Sequence, residues 1–432
     1  MSAVSWLEAA LLGAVDRGRV WAVERLVYGL LAFDLWLEMA SHASRYGAGG
    51  LNVAHFQWLD AVQVLPDAST YLAVILASGV LSLALCLGVG GRGARWTLFG
   101  LYTYGWAMSQ LDSYQHHFFL SIVLFHFALA DPDAEPQPSG DGCAWGYQLL
   151  LASIAIVYAY TGLSKTEEAW LMGDVLVRIN ASGGKLAPFL SWAQGAGLSA
   201  ETFWWLGGHS VVVAQWIIVG GYLSVFFDPR RRRRSTGWLT YAGLVTAVAF
   251  HGGAEYLELR VGWFSYYMVI LAVVMLGPAA PWRVLNRLRE RCSGVVSGAF
   301  ERSAVLVPVL SALGVLVAAW ASAALVDLPS GAAVGITGIA VTVYAWWRHG
   351  DRRSIGLTGA KVICVMVLAA LCLTQSNVHY DFYRLLGGDL VRRGEPMEAL
   401  DAYGLANTWA PSGEGRQSKV QKIQAGLRGR SQ

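Results

Sequence analysis

Lysine is nearly absent from this chain. Of 32 basic residues only Lys165, Lys185, Lys361, Lys419 and Lys422 are lysines, and the rest are arginines. Charge of either sign is scarce as well. Charged residues make up 14% of the 432, against about 25% in soluble domains, while 55% are hydrophobic and mean hydropathy is +0.44. That composition excludes an ordinary soluble domain and implies an all-α integral membrane protein. The five cysteines, Cys86, Cys143, Cys292, Cys364 and Cys372, show no CxxC or metal-ligand spacing, so neither a disulfide framework nor a metal centre is expected. Net charge is +3 and comes mostly from clustered arginines, a topology signal that implies no nucleic-acid partner. Residues 1–20 lack a basic n-region and a small-residue cleavage site, and read as a retained interfacial helix.

What the chain does have is long apolar stretches. A span takes roughly 20 apolar residues, and candidates fall at 21–40, 70–89, 96–111, 114–130, 146–163, 209–227, 236–254, 262–281, 303–326, 331–347 and 357–375. About eleven transmembrane helices with the N-terminus in the cytoplasm put Arg17/Arg19, Arg92/Arg95, Arg230–Arg234, Arg283–Arg302 and Arg348–Arg353 on one side, as the positive-inside rule requires. The expectation is a multi-pass cell (inner) membrane protein with its C-terminal tail outside. Its expected parts are residues 1–20, a main membrane domain over 21–282, further spans over 283–375 and a tail over 376–432.

The scarcity of lysine makes one segment informative: Tyr158-Ala-Tyr-Thr-Gly-Leu-Ser-Lys165-Thr-Glu-Glu-Ala-Trp170-Leu-Met-Gly173. Burial can drive a lysine ammonium neutral, which an arginine guanidinium resists, so a lysine at a membrane boundary is a candidate base. A lysine that merely snorkels at the interface is the competing reading. The eleven-span topology also brings His116, His117 and His251 to the same outer face as Lys165. Ionisable groups converging at membrane depth mark function, and this favours a site. Asn52–Leu65 and Glu167–Ile179 alternate at helical spacing and read as interfacial helices. With Pro188–Trp192 they would roof a cavity. Gly183-Gly184 and Gly207-Gly208 read as turns.

Several segments, in order, resemble the vitamin K-dependent γ-glutamyl carboxylases and their bacterial relatives, the horizontally transferred transmembrane (HTTM) domain proteins. They are Arg25–Asp34, Phe56–Ala61, Tyr114–Leu120, Val157-Tyr158 running into Gly162-Leu-Ser-Lys165, Trp170–Gly173, and Phe250-His251 with Gly262–Tyr266. The resemblance covers roughly 20–282 and implies an enzyme that uses vitamin K hydroquinone or menaquinol, with O2 and CO2 as co-substrates, to carboxylate glutamate in a peptide. Lys165 matches the family's base, and His117 its hydrogen-bonding histidine, with His116 a close competitor. Tyr158, Trp170, His251, Phe264 and Tyr266 fall in the implied quinol and substrate pocket. The implied partners are the lipid membrane, a quinone and a peptide or small acidic substrate. The chain lacks the large β-rich region that animal carboxylases carry after their membrane domain.

In the tail, Tyr383, Leu386, Gly387, Ala399, Tyr403, Ala406 and Pro411 fall at the spacing of one tetratricopeptide repeat. A single copy needs something to dock on, and a small amphipathic cap is the other reading. Two other functions remain open: a different quinol-linked modification of an exported peptide, and transport. No inverted repeat or matched pair of glycine-broken helices supports transport.

Overall fold

The computed structural model describes residues 14–40, 68–107, 115–130, 142–143, 145–227, 237–257, 263–285, 334–343 and 376–410, with isolated residues beside them. These form helices almost throughout. Strands β1 (Ala14–Val15) and β2 (Gly142–Cys143) make one two-residue antiparallel pairing. The helices are α1 (Arg17–Asp34, running into a π-helical turn over Leu35–Met39), α2 (Ala68–Cys86), α3 (Arg92–Ala107), α4 (Gln115–Leu129) and α5 (Trp145–Ser164). There follow α6 (Glu168–Leu171), α7 (Asp174–Gly183), α8 (Ala187–Gly195), α9 (Ala200–Phe227), α10 (Trp238–Tyr256) and α11 (Phe264–Leu276). A short apolar helix α12 (Val334–Val343) precedes α13 (Ser376–Arg393) and α14 (Pro396–Trp409).

Among the described residues two helices are long and apolar enough to cross a membrane, Gly146–Ser164 and Ala200–Phe227. Shorter apolar helices cover Thr70–Cys86, His117–Leu129, Phe264–Leu276 and Val334–Val343. Among the described residues, helix lengths thus support fewer spans than the eleven expected from sequence. The expected spans at 303–326 and 357–375 lie largely outside the described residues, as do Asn52–Leu65 and most of 1–20.

The chain divides into two compact units, one of 1–27 with 125–289, the other of 28–124 with 290–432. In the first, α9 packs along both α5 and α10, and α10 along α11. Small residues make the α9–α10 crossing possible. A Cβ on Gly221 would lie 2.8 Å from the Gly243 Cα, and the Ser224 and Thr240 hydroxyls hydrogen-bond across the same crossing at 2.6 Å. Close backbone approach of this kind is how helices associate where lipid removes any hydrophobic drive between them. Buried Arg19 donates from its guanidinium to the carbonyls of Met275 (2.7 Å) and Gly277 (2.6 Å), satisfying acceptors at the end of α11 that the helix leaves open. Asp16 accepts from Arg283 beside it.

In the second unit the indole of Trp36 donates to the Leu76 carbonyl (3.2 Å) and Ser82 Oγ to that of Tyr28 (2.8 Å). A side chain on Gly79 would overlap that indole. Helices α13 and α14 form a hairpin closed by Gly394 in the left-handed region (φ 78°). Its core is Ala399, Ala402, Tyr403 and Ala406, with Gly387 against the Tyr403 ring and His379 stacked on Trp409 at 4.4 Å. The hairpin also touches the π-helical turn of α1.

Replacing Gly221 with valine overpacks the α9–α10 crossing. A loss of about 1–3 kcal/mol is expected, measured as a lower Tm in detergent, whereas Gly252→Ala, where a Cβ meets nothing within 4 Å, is expected to leave Tm nearly unchanged.

Candidate functional site

Helix α9 has 28 residues, so at 1.5 Å per residue it measures about 42 Å and exceeds a hydrocarbon core of about 30 Å. It is long enough to project past that core, and the segment between α5 and α9 is held against its first turns. Gly208 admits the carbonyl of Trp170, which a Cβ would strike. Gly207 admits Leu176, 2.8 Å from a Cβ built there, and Gly173 lies under the Trp204 carbonyl at φ 84°. Gly207 and Gly208 are thus interior helix residues, not the turn expected from sequence. Two adjacent glycines without side chains are what the close approach demands. Gly184, in contrast, does end α7 in the left-handed region. The Glu167–Ile179 stretch is likewise not one helix: Gly173 breaks it into α6 and α7. Pro188–Trp192 lies in α8.

Lys165 sits in the turn that follows α5, half-buried. Its ammonium donates to the Thr161 carbonyl (3.3 Å) at the end of α5 and lies 5.3 Å from the centre of the Trp170 ring. No carboxylate pairs with it among the described residues. Burial strips water from the charged form and lowers the pKa of Lys165 below the ordinary lysine value. Trp170 thus touches the amine directly, while α9, through Gly208, holds Trp170 in place.

About two turns back along α5, and so on a similar face, the buried Tyr158 hydroxyl hydrogen-bonds His251 Nε2 of α10 at 2.6 Å. Phe264 of α11 meets His251 edge-on at 5.8 Å, and Tyr222 of α9 stacks on Tyr158 at 6.2 Å. The structure therefore brings Tyr158, His251 and Phe264 into contact, and Lys165 and Trp170 into a second contact one face along. Tyr266 is exposed against Trp263 and touches none of them. His117 is buried in the second unit, its Nδ1 2.8 Å from the Tyr102 hydroxyl. Near it Thr103 Oγ1 (3.0 Å) and the Trp106 indole both donate to Ser121 Oγ. His116 begins the same helix, and its side chain lies outside the described residues.

A family model described as the HTTM domain matches residues 16–279, more than half of the chain. The chain belongs to the HTTM domain family. No curated protein and no solved structure matches it. The matched region contains both side-chain groups of the first unit and the Tyr102–His117 pair.

Sequence reasoning passed over Tyr102, Tyr222 and Gln215. Tyr102 and Tyr222 sit among other aromatics and carry no distinguishing signal. Gln215 does carry one, as an uncharged polar side chain in the middle of an apolar helix.

The pKa of Lys165 predicts its reactivity. Because it is lowered, acylation of this amine by a water-soluble ester is expected to level off at a lower pH than for a free alkylamine. Trp170→Ala admits water and should move that profile back upward, measured by mass spectrometry of the peptide containing residue 165. An unshifted profile in the intact protein would show that desolvation does not tune this amine.

Proposed function

We propose that this HTTM protein is a membrane-embedded, quinol-dependent γ-carboxylase-like enzyme with Lys165 as its base. The observation that carries the proposal is the half-buried ammonium of Lys165 beside Trp170, unpaired with any carboxylate among the described residues and with its pKa lowered by desolvation. HTTM is a domain of the vitamin K-dependent carboxylase family, which supports the same reading. An ordinary lysine, with pKa near 10.4, is almost wholly protonated at neutral pH, and a lowered one can accept the proton of a phenolic hydroxyl.

The residues fit a quinol by their chemistry. Lys165 offers the base, Tyr158 and His251 offer hydroxyl and imidazole groups that match a phenolic oxygen, and Trp170, Tyr222 and Phe264 offer aromatic faces. Vitamin K hydroquinone or menaquinol would supply the reducing electrons and, with O2, the strong base that a γ-proton of glutamate requires. The chain's own part is to hold the quinol head, take its proton at Lys165 Nζ and keep water from the amine. CO2 is the second co-substrate and a peptide or small acid the acceptor. His117, set by Tyr102, is assigned a hydrogen-bonding role. In this reading the main membrane domain spans 21–282, further spans fill 283–375, and the tail at 376–432 is an extracytoplasmic repeat that presents the acceptor. Exposed Trp238 (80%) and Tyr256 (54%) at the two ends of α10 sit where interfacial aromatics belong, about 27 Å apart along the helix, and support α10 as a span.

Reconstitution into vesicles with quinol, O2, labelled bicarbonate and glutamyl peptides tests this. Label is expected to enter the peptide. Lys165→Ala should lower the rate by at least about 100-fold, and Lys165→Arg should do the same because arginine keeps its proton. Label incorporation that survives Lys165→Ala would overturn the assignment. Quinol oxidation that needs Lys165 but incorporates no label would favour a different quinol-linked modification of an exported peptide. Dependence on a substrate gradient, without chemistry, would favour transport.

A further inference from the structure

Gln215 is one of several buried polar groups, with the Tyr222 hydroxyl and Ser265 Oγ, that the contacts above leave unused among the described residues. It lies on α9, is 2% exposed, and its Oε1 finds no hydrogen-bond partner. No described residue hydrogen-bonds its amide. An amide oxygen buried in an apolar span without a donor loses its hydration with nothing in return, so its presence calls for a function. Its position is set by Gly162. A Cβ built on Gly162 would lie 3.4 Å from Gln215 Oε1 and 3.5 Å from its Cβ, so the missing side chain is what lets the amide approach α5. Gly162 is one turn before Lys165, whose backbone N–H donates to the Gly162 carbonyl.

The register of the two helices places Gln215 between the two side-chain groups of the first unit. Tyr158 meets Tyr222, Gly162 meets Gln215, and Trp170 meets Gly208. Numbers rise on one side as they fall on the other, so α5 and α9 run antiparallel. Gln215 and Tyr222 are seven residues apart and share the face that α9 turns to α5. Along the seam Gln215 therefore falls between the Tyr158–His251 pair and the Lys165 turn.

We infer that the Gln215 amide is a ligand-binding group that holds a hydroxyl of an aromatic diol in the α5–α9 seam, and so determines specificity for the hydroxylated head. This rests on the quinol reading above. An amide is well suited to the task. Its oxygen accepts from the hydroxyl of the reduced ligand, and after a half-turn about its last side-chain bond its N–H donates to the carbonyl of the oxidised one. An aliphatic side chain offers neither, and a carboxylate would add a charge at membrane depth.

The test is equilibrium binding of menadiol and of its dimethyl ether to the full-length protein in lipid nanodiscs, measured by quenching of tryptophan fluorescence under reducing conditions. The ether keeps the aromatic rings and loses both donors. The intact protein is expected to prefer the diol by about tenfold or more. Gln215→Leu should reduce that preference by about tenfold while leaving affinity for the ether almost unchanged, which a merely structural role would not do. Gln215→Asn keeps the amide and withdraws it by one carbon. It should also lose most of the preference, and it decides the matter if the leucine variant fails to fold. Full preference in both variants, or in the asparagine variant when it alone folds, would overturn the role of Gln215 and leave the quinol site standing. If the intact protein binds neither probe, the quinol reading itself fails.

Discussion

The antiparallel packing of α5 on α9 is the constraint on which the rest of the first unit depends. Two contacts describe it, Tyr222 on Tyr158 and Gln215 on Gly162, and two more extend it past the end of α5, Gly208 on Trp170 and Trp204 over Gly173. Glycine occupies one side of three of these: at Gly208 and Gly173 a methyl group would collide with a carbonyl, and at Gly162 the absent side chain leaves room for the Gln215 side chain. In a soluble protein apolar side chains would drive such a contact. In lipid they cannot, since the surrounding chains are as apolar as leucine, and close fit of small residues takes over. The α9–α10 crossing at Gly221 and Gly243 repeats the arrangement one helix further on.

This packing also accounts for the chemistry at the end of α5. The first turns of α9 serve as a post, and the α6 turn, braced on it through Gly208, brings the Trp170 ring to the Lys165 ammonium. The carbonyl of Thr161, left open by the end of α5, takes the ammonium's hydrogen bond. Among the described residues the amine is thereby held without a carboxylate, and a counter-ion would have stabilised its charged form and raised its pKa. Holding a lysine with a carbonyl and a ring, both weak partners for a cation, keeps the neutral form within reach.

Much of this was legible in residue order. The helical stretches at 70–89, 146–163 and 236–254 coincide with α2, α5 and α10 because long apolar runs have few alternatives to a helix in lipid. Lys165 stood out through the rarity of its type. The glycine pair at 207–208 was misread, since adjacent glycines normally punctuate a chain, and only the position of Trp170 explains them inside a helix. The resemblance implies one pocket for Tyr266 and Phe264, yet two residues along a helix turn a side chain well away from its neighbour, and Tyr266 is exposed.

By itself the sequence determined the membrane class and the main apolar helices, and it singled out Lys165 by the rarity of its type, because composition and apolar run length are local properties. The tertiary structure alone decided what each of those groups touches. The Tyr158–His251 hydrogen bond joins residues 93 apart, and the amide of Gln215 reaches α5 only where Gly162 happens to face it. Such contacts follow from the register of one helix against another. That register is set by where small residues let backbones meet, which no periodicity within a single helix reveals.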